Sequence, residues 1–119
     1  MSDLSIEISI DDQTLYLVRG SERIQSWPIS SARKGVGMQN DSHRTPIGSF
    51  VINEAIGGDL PIHTMFKGRK PAGIWDGNPT DADLILSRIL RLDGLEPSNA
   101  NTRDRFIYIH GTNHESLLG

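Results

Sequence analysis

The sequence predicts one mainly-β domain with long loops and little helix. Ile6, Ile8 and Ile10 alternate with polar residues, the period-two pattern of a half-buried strand. Aromatic and β-branched runs recur at residues 15–18, 50–52 and 106–109. Glycine and proline crowd residues 57–79, from Gly57-Gly58 to Pro79, which forbids a long helix there.

In order, residues 6–10 read as a first strand and Asp11-Asp12-Gln13 as a polar turn. Residues 15–18 form a second strand. Gly20-Ser21 punctuates, and residues 23–29 return as a third, so the last two read as a hairpin. Residues 30–45 are polar, with Gly35 and Gly37, and read as irregular loop. Pro46-Ile47-Gly48 is a turn signal before a strand at residues 50–52. Residues 57–79 read as a long loop, of the kind that often forms a lid or binding surface. Residues 81–92 fit two templates. Ile85, Ile89 and Leu92 would share a helical face, whereas Leu84, Leu86, Leu90 and Leu92 share one side of a strand, with Arg88 the exception. The turn-rich surroundings favour strand. Asp93-Gly94 reads as a turn, residues 96–104 as polar loop, and residues 106–109 as a buried strand delivering His110, Gly111 and Thr112.

Residues 1–119 form one domain, long enough for one core and not for two. No apolar run approaches the ~20 residues that span a bilayer. The opening MSDLSIEISI has no basic start and no continuous apolar segment, so it reads as structure and not as a leader. Net charge is -3, and the basic residues are scattered. Arg33-Lys34, Lys67-Arg69-Lys70 and Arg103-Arg105 read as solvated loop charges, and no nucleic-acid partner is expected. The chain contains no cysteine, which removes disulfides, thiolate metal sites and cysteine nucleophiles from the sequence as written.

A strand that hands a histidine to a glycine turn holds an imidazole rigidly. A neighbouring carbonyl then takes the Nδ1 proton and leaves Nε2 as a base. By local pattern alone, a histidine in a β-turn is the better reading of His110. His110 and His114 have helical zinc spacing with Glu115 adjacent, but Gly111, Thr112 and Asn113 oppose a helix. His43 and His63 supply no third ligand, so no metal is expected. Asp11-Asp12 and Asp81/Asp83 read as turn and cap carboxylates rather than a glycosidase pair. Trp27 reads as a core or hydrophobic-loop residue rather than a sugar-stacking one. Trp75 is open between a loop role and stacking on sugar. Gly35 and Gly37 lack the Lys-Ser/Thr pair of a phosphate loop.

The segments DDQTLYLV with its hairpin return, RTPIGSFVI, RLDGL and FIYIHGT stand in the order seen in L,D-transpeptidases of the YkuD type. GRKPAG also looks like short bacterial members. The chain resembles that family over nearly its whole length. The resemblance implies a β-sandwich or barrel-like domain and no cofactor. It implies acyl transfer on peptidoglycan stem tetrapeptides. A cysteine attacks the carbonyl between the third and fourth residues, D-alanine leaves, and an amine takes the acyl group. The usual product is a 3–3 cross-link, and some members acylate other amines or cleave. The resemblance carries His110 over as general base and Gly111 as the backbone carbonyl that orients it. It also carries Thr112, which shapes the turn and is a substrate-binding candidate.

The family's nucleophile sits in a Ser-His-Gly-Cys segment downstream of that histidine, and none occurs here. Ser116 is near in sequence but forms no triad by that alone. The resemblance thus implies a C-terminally truncated domain, inactive in acyl transfer as written. Three products fit: an enzyme whose nucleophile lies beyond Gly119, an inactive peptidoglycan-binding module, or an unstable fragment. A missing segment would leave an exposed sheet edge, suited to dimerisation. The substrate class implies the periplasm or cell wall, although no leader is visible.

Overall fold

The computed structural model describes residues 3–82, 84–114 and 118. Its strands are β1 (Leu4–Ser9), β2 (Thr14–Arg19), β3 (Glu22–Pro28), β4 (Phe50–Ile56), β5 (Thr64–Lys67), β6 (Lys70–Ile74), β7 (Ile85–Gly94) and β8 (Tyr108–Gly111). Short 3₁₀ turns at Pro97–Asn99 and Arg103–Arg105 are the helical elements among the described residues. The strands form two antiparallel sheets. One is the meander β1-β2-β3, and the other runs β4-β7-β5-β6 with β8 on the opposite side of β7. This is the mainly-β, sandwich-like architecture that the sequence predicts.

The first sheet follows directly from its alternation. Ile6 pairs with Leu17 and Ile8 with Leu15, so apolar side chains meet on one face. Arg19 pairs with Glu22 across Gly20-Ser21, a two-residue hairpin in which Gly20 supplies a φ of 61°. On this sheet Arg23 bonds Glu7 and stacks 3.9 Å from the Tyr16 ring centroid. The Glu7 hydrogen bond is the main reason its guanidinium is held above the ordinary value.

The second sheet is built around β7, which is strand throughout. Leu86 pairs with Gly111 but Ile89 pairs with His110, so β7 carries extra residues at Ser87 and Arg88. This bulge, with Ser87 at φ 72°, shifts the pairing register by two residues. The buried apolar positions Leu86 and Ile89 are three apart, a spacing that also fits a helix. The strand also runs through Asp93 and Gly94, where a turn was expected, because Gly94 pairs with Phe50.

Two further expectations are corrected. The loop at residues 57–79 contains the β5–β6 hairpin. Lys67 pairs with Lys70 across Gly68 (φ 56°) and Arg69 (φ 66°), the two positive values a tight hairpin needs. The last strand begins at Tyr108, two residues late. Phe106 caps the preceding 3₁₀ turn in the left-handed region and is 55% exposed, so the run 106–109 is not a continuous buried strand.

The buried apolar core among the described residues is small: Val18, Phe66, Leu86 and Ile89. Between the two sheets lies an open cleft of about 2410 Å³, ribbed by Ile6, Leu15 and Trp27 on one wall and Ile52, Leu92 and Ile109 on the other. Trp27 is 42% exposed there, so it lines the cleft instead of a closed core. The molecule exposes 8154 Å², against ~6400 Å² expected of a close-packed chain of its mass. No helix among the described residues is long and apolar enough to cross a membrane.

Candidate active site around His110

β8 is anchored by β7 and ends at the rim of the cleft. Ile109 pairs with Leu90 and His110 with Ile89, after which Gly111 pairs with Leu86 beyond the bulge. Gly111 is where two backbones come closest. A Cβ at this position would lie 2.7 Å from the Leu86 carbonyl oxygen and 3.0 Å from Ser87 Oγ. Glycine is required by that approach, and the approach fixes where His110 stands.

His110 is exposed, and its Nδ1 lies 2.7 Å from the Gly111 carbonyl oxygen. With the proton on Nδ1 donated to that carbonyl, the Nε2 lone pair is free to accept another proton. Thr112 Oγ1 accepts a hydrogen bond from the His114 backbone N–H at 3.1 Å, which closes a tight turn after β8. His110, Gly111 and Thr112 all line the cleft.

The turn is clamped by Asn113, which the sequence pattern did not single out, and by His114, which it weighed only as a metal ligand. Asn113 Oδ1 accepts from Leu84 N–H and its Nδ2 donates to the Ala82 carbonyl, both at 3.0 Å. His114 Nε2 lies 2.9 Å from the Thr80 carbonyl oxygen. A side chain that satisfies backbone groups 31 positions away leaves no periodic signal in a single sequence.

The TPIGSF segment comes to the same cleft: Thr45, Pro46, Ile47 and Gly48 line it with His110. Asn99, fully buried, holds this turn. Its Nδ2 donates to the carbonyls of Ile47 and Ser49 at 3.1 Å each, and its Oδ1 accepts from Glu96 N–H at 2.9 Å. Glu96 in turn accepts from Ser49 N–H at 2.9 Å. Gly48 has φ 111°, and a Cβ there would lie 2.9 Å from Asn99 Nδ2. Arg105 forks onto the carbonyls of Gly37 and Arg44 at 3.2 and 2.7 Å, and Asn101 donates to the Met38 carbonyl at 2.8 Å. The polar segment 96–105 is thus the frame that carries the long loop 30–49. Arg105 belongs to that frame, although the sequence had suggested a solvated charge.

Other candidates fall away from this place. His63 packs edge to face on Trp75, with ring centroids 5.5 Å apart, and Trp75 Nε1 donates to the Asn78 carbonyl. Asp11 and Asp12 occupy the turn after β1. No group of three metal-ligating side chains occurs among the described residues. Asp83, Glu115 and Ser116 lie outside the described residues. Arg69 is not a solvated loop charge: its Nη1 donates to Tyr108 Oη at 3.3 Å, which is the main reason it is held above the ordinary guanidinium value.

A scan against protein families matches residues 3–118 to the L,D-transpeptidase catalytic domain, YkuD. No curated protein and no solved structure matches the chain. The family match runs through both sheets, the TPIGSF turn and the His110 strand, and by it the chain belongs to the YkuD family of L,D-transpeptidase catalytic domains.

Proposed function

We propose that the His110 end of β8 is the base side of an L,D-transpeptidase site acting on peptidoglycan stem tetrapeptides. The observation that carries this reading is the His110 Nδ1–Gly111 carbonyl contact at 2.7 Å on the rim of an open cleft. It orients the imidazole and reserves Nε2 for proton transfer. The nucleophile is a cysteine supplied from outside these 119 residues, which contain none.

Nε2 takes the thiol proton as sulfur attacks the carbonyl carbon between the third and fourth stem residues. The tetrahedral adduct collapses, the C–N bond breaks, and the imidazolium returns the proton to the departing D-alanine nitrogen. An acceptor amine attacks the thioester carbon and gives its proton to Nε2. The thiolate leaves and is reprotonated, and a new amide remains. The Gly111 carbonyl stabilises the imidazolium in each half by accepting the hydrogen bond from its Nδ1–H.

The test is acylation by a carbapenem of the protein extended by a Ser-His-Gly-Cys segment, followed by intact mass. We expect a covalent adduct that forms about 10²–10⁴-fold more slowly with His110→Ala, the usual contribution of a general base. An accessible cysteine that forms no adduct would refute the mechanism. The 119-residue chain itself is expected to form none.

A second reading, a stem-peptide binding module, is favoured by one observation: the TPIGSF turn is held at the cleft by Asn99 and Glu96 without any nucleophile. Calorimetric titration of the 119-residue chain with muropeptide tests it. Absence of binding at millimolar peptide would exclude that reading.

A further inference from the structure

We propose that Arg91 and Arg69, with Tyr108 and Phe106, form a carboxylate-binding subsite on the sheet face that carries His110. Identifying the ligand as a stem peptide rests on the function proposed above; the carboxylate chemistry does not.

Strand register places these residues together. Glu54 on β4 pairs with Arg91 on β7, and Arg91 pairs with Tyr108 on β8. Paired residues share a face, and so do residues two apart along a strand. Tyr108 and His110 therefore lie on one face of β8 and Ile109 on the other, and all three border the cleft where the strand forms its rim. Arg91 is diagonal to His110 there, at the ~7–8 Å typical of such neighbours. The β5–β6 turn brings Arg69 over the same face, where it donates to Tyr108 Oη.

Arg91 is under-partnered for its burial. Its side chain is 9% exposed, yet its Nε has no hydrogen-bond partner. Its Nη2 donates to the Arg103 carbonyl at 3.1 Å, and its nearest counter-charge is Glu54, 3.8 Å from Nη1 and half exposed. A guanidinium offers five donors in a planar fork, and a buried cation is costly unless that fork is filled. A carboxylate fits it through Nε and one Nη. The Phe106 ring now lies over both guanidiniums, with its centroid 5.1 Å from Arg91 Cζ and 5.4 Å from Arg69 Cζ. Phe106 is an exposed residue in the left-handed region, so its ring is a cover that an incoming anion displaces. Two cations converging on one spot beside the proposed base suit a peptide with a free carboxylate close to its reacting carbonyl. In a stem tetrapeptide, that carboxylate belongs to the terminal D-alanine or to diaminopimelate.

The test is NMR of the arginine Nε–Hε groups of the 119-residue chain during titration with three stem tetrapeptides. One is unmodified, one is amidated at the D-alanine carboxylate, and one is amidated at diaminopimelate. Sodium acetate serves as a separate probe. We expect the unmodified peptide to shift the Arg91 Nε–Hε signal. One of the two amidations should weaken binding about tenfold or more, which names the carboxylate. Arg69→Gln, at a half-buried turn position, should weaken it similarly, with an unchanged amide spectrum showing that the chain stays folded. A peptide that binds without moving the Arg91 signal, or equally well after both amidations, overturns the subsite and leaves the proposed function standing. Acetate that moves the signal when no stem peptide binds upholds the carboxylate site and counts against the stem-peptide reading. No movement with any probe overturns the subsite.

Discussion

Asn99 and Gly111 show how single residues set the cleft's rim. Asn99 satisfies two carbonyls and one N–H from three different residues while fully buried. Alanine there would strand all three, and a stranded buried polar group costs roughly 1–3 kcal/mol. We expect Asn99→Ala to lower stability by about 2–3 kcal/mol in urea unfolding. Hydrogen exchange should quicken at Ser49, whose frame is lost. Gly111→Ala drives a Cβ against the Leu86 carbonyl and should cost about 1–3 kcal/mol, the usual price of overpacking. Because the clash is with β7, the extended enzyme carrying this change should also acylate more slowly. Neither residue is legible as a frame in the sequence. Asn99 sits in a run of polar residues that reads as loop, and its partners are 50 and 52 positions away.

The β5–β6 hairpin and the β7 bulge belong to the scale of elements. Gly68 and Arg69 both have positive φ, and a Cβ on Gly68 would meet nothing within 4 Å. Glycine is there for conformation and not for space. Gly68→Val should therefore cost about 1–2 kcal/mol through its forced left-handed backbone, whereas Gly68→Asn should cost much less, since asparagine tolerates that region. Urea midpoints of the two variants measure the difference, and equal losses would mean the turn relaxes. The hairpin escaped sequence reading because glycine and proline weaken strand signals, and its strands are four and five residues long. The β7 bulge escaped for another reason. Its two extra residues leave the period of two in the sequence unbroken, so the bulge becomes visible only against the partner strand.

At the scale of the whole molecule, the dominant feature is the open cleft. The Cα radius of gyration is 14.7 Å, against ~13.5 Å for a compact chain of this length. Exposed apolar side chains such as Leu4, Ile6, Ile8 and Trp27 border that space. Exposed apolar area on this scale drives association, and β8 lies at the edge of its sheet, where backbone groups template pairing. We expect the 119-residue chain to bind a hydrophobic dye strongly and to show concentration-dependent self-association in sedimentation. A monomer at high concentration with no dye binding would show that the cleft closes in solution.

The sequence by itself determined the mainly-β class, the first three strands and the strand that carries His110, because those depend on alternation, turn residues and β-branched runs within a few positions of each other. It also carried the order of motifs by which the family is recognised. Tertiary structure alone decided which loop frames which, where β7 shifts register, and that Arg69, Arg91, Tyr108 and Phe106 converge on one face. Those outcomes depend on hydrogen bonds and charge contacts between residues far apart in the chain. Such contacts are selected by the folded geometry and have no local period from which they could be read.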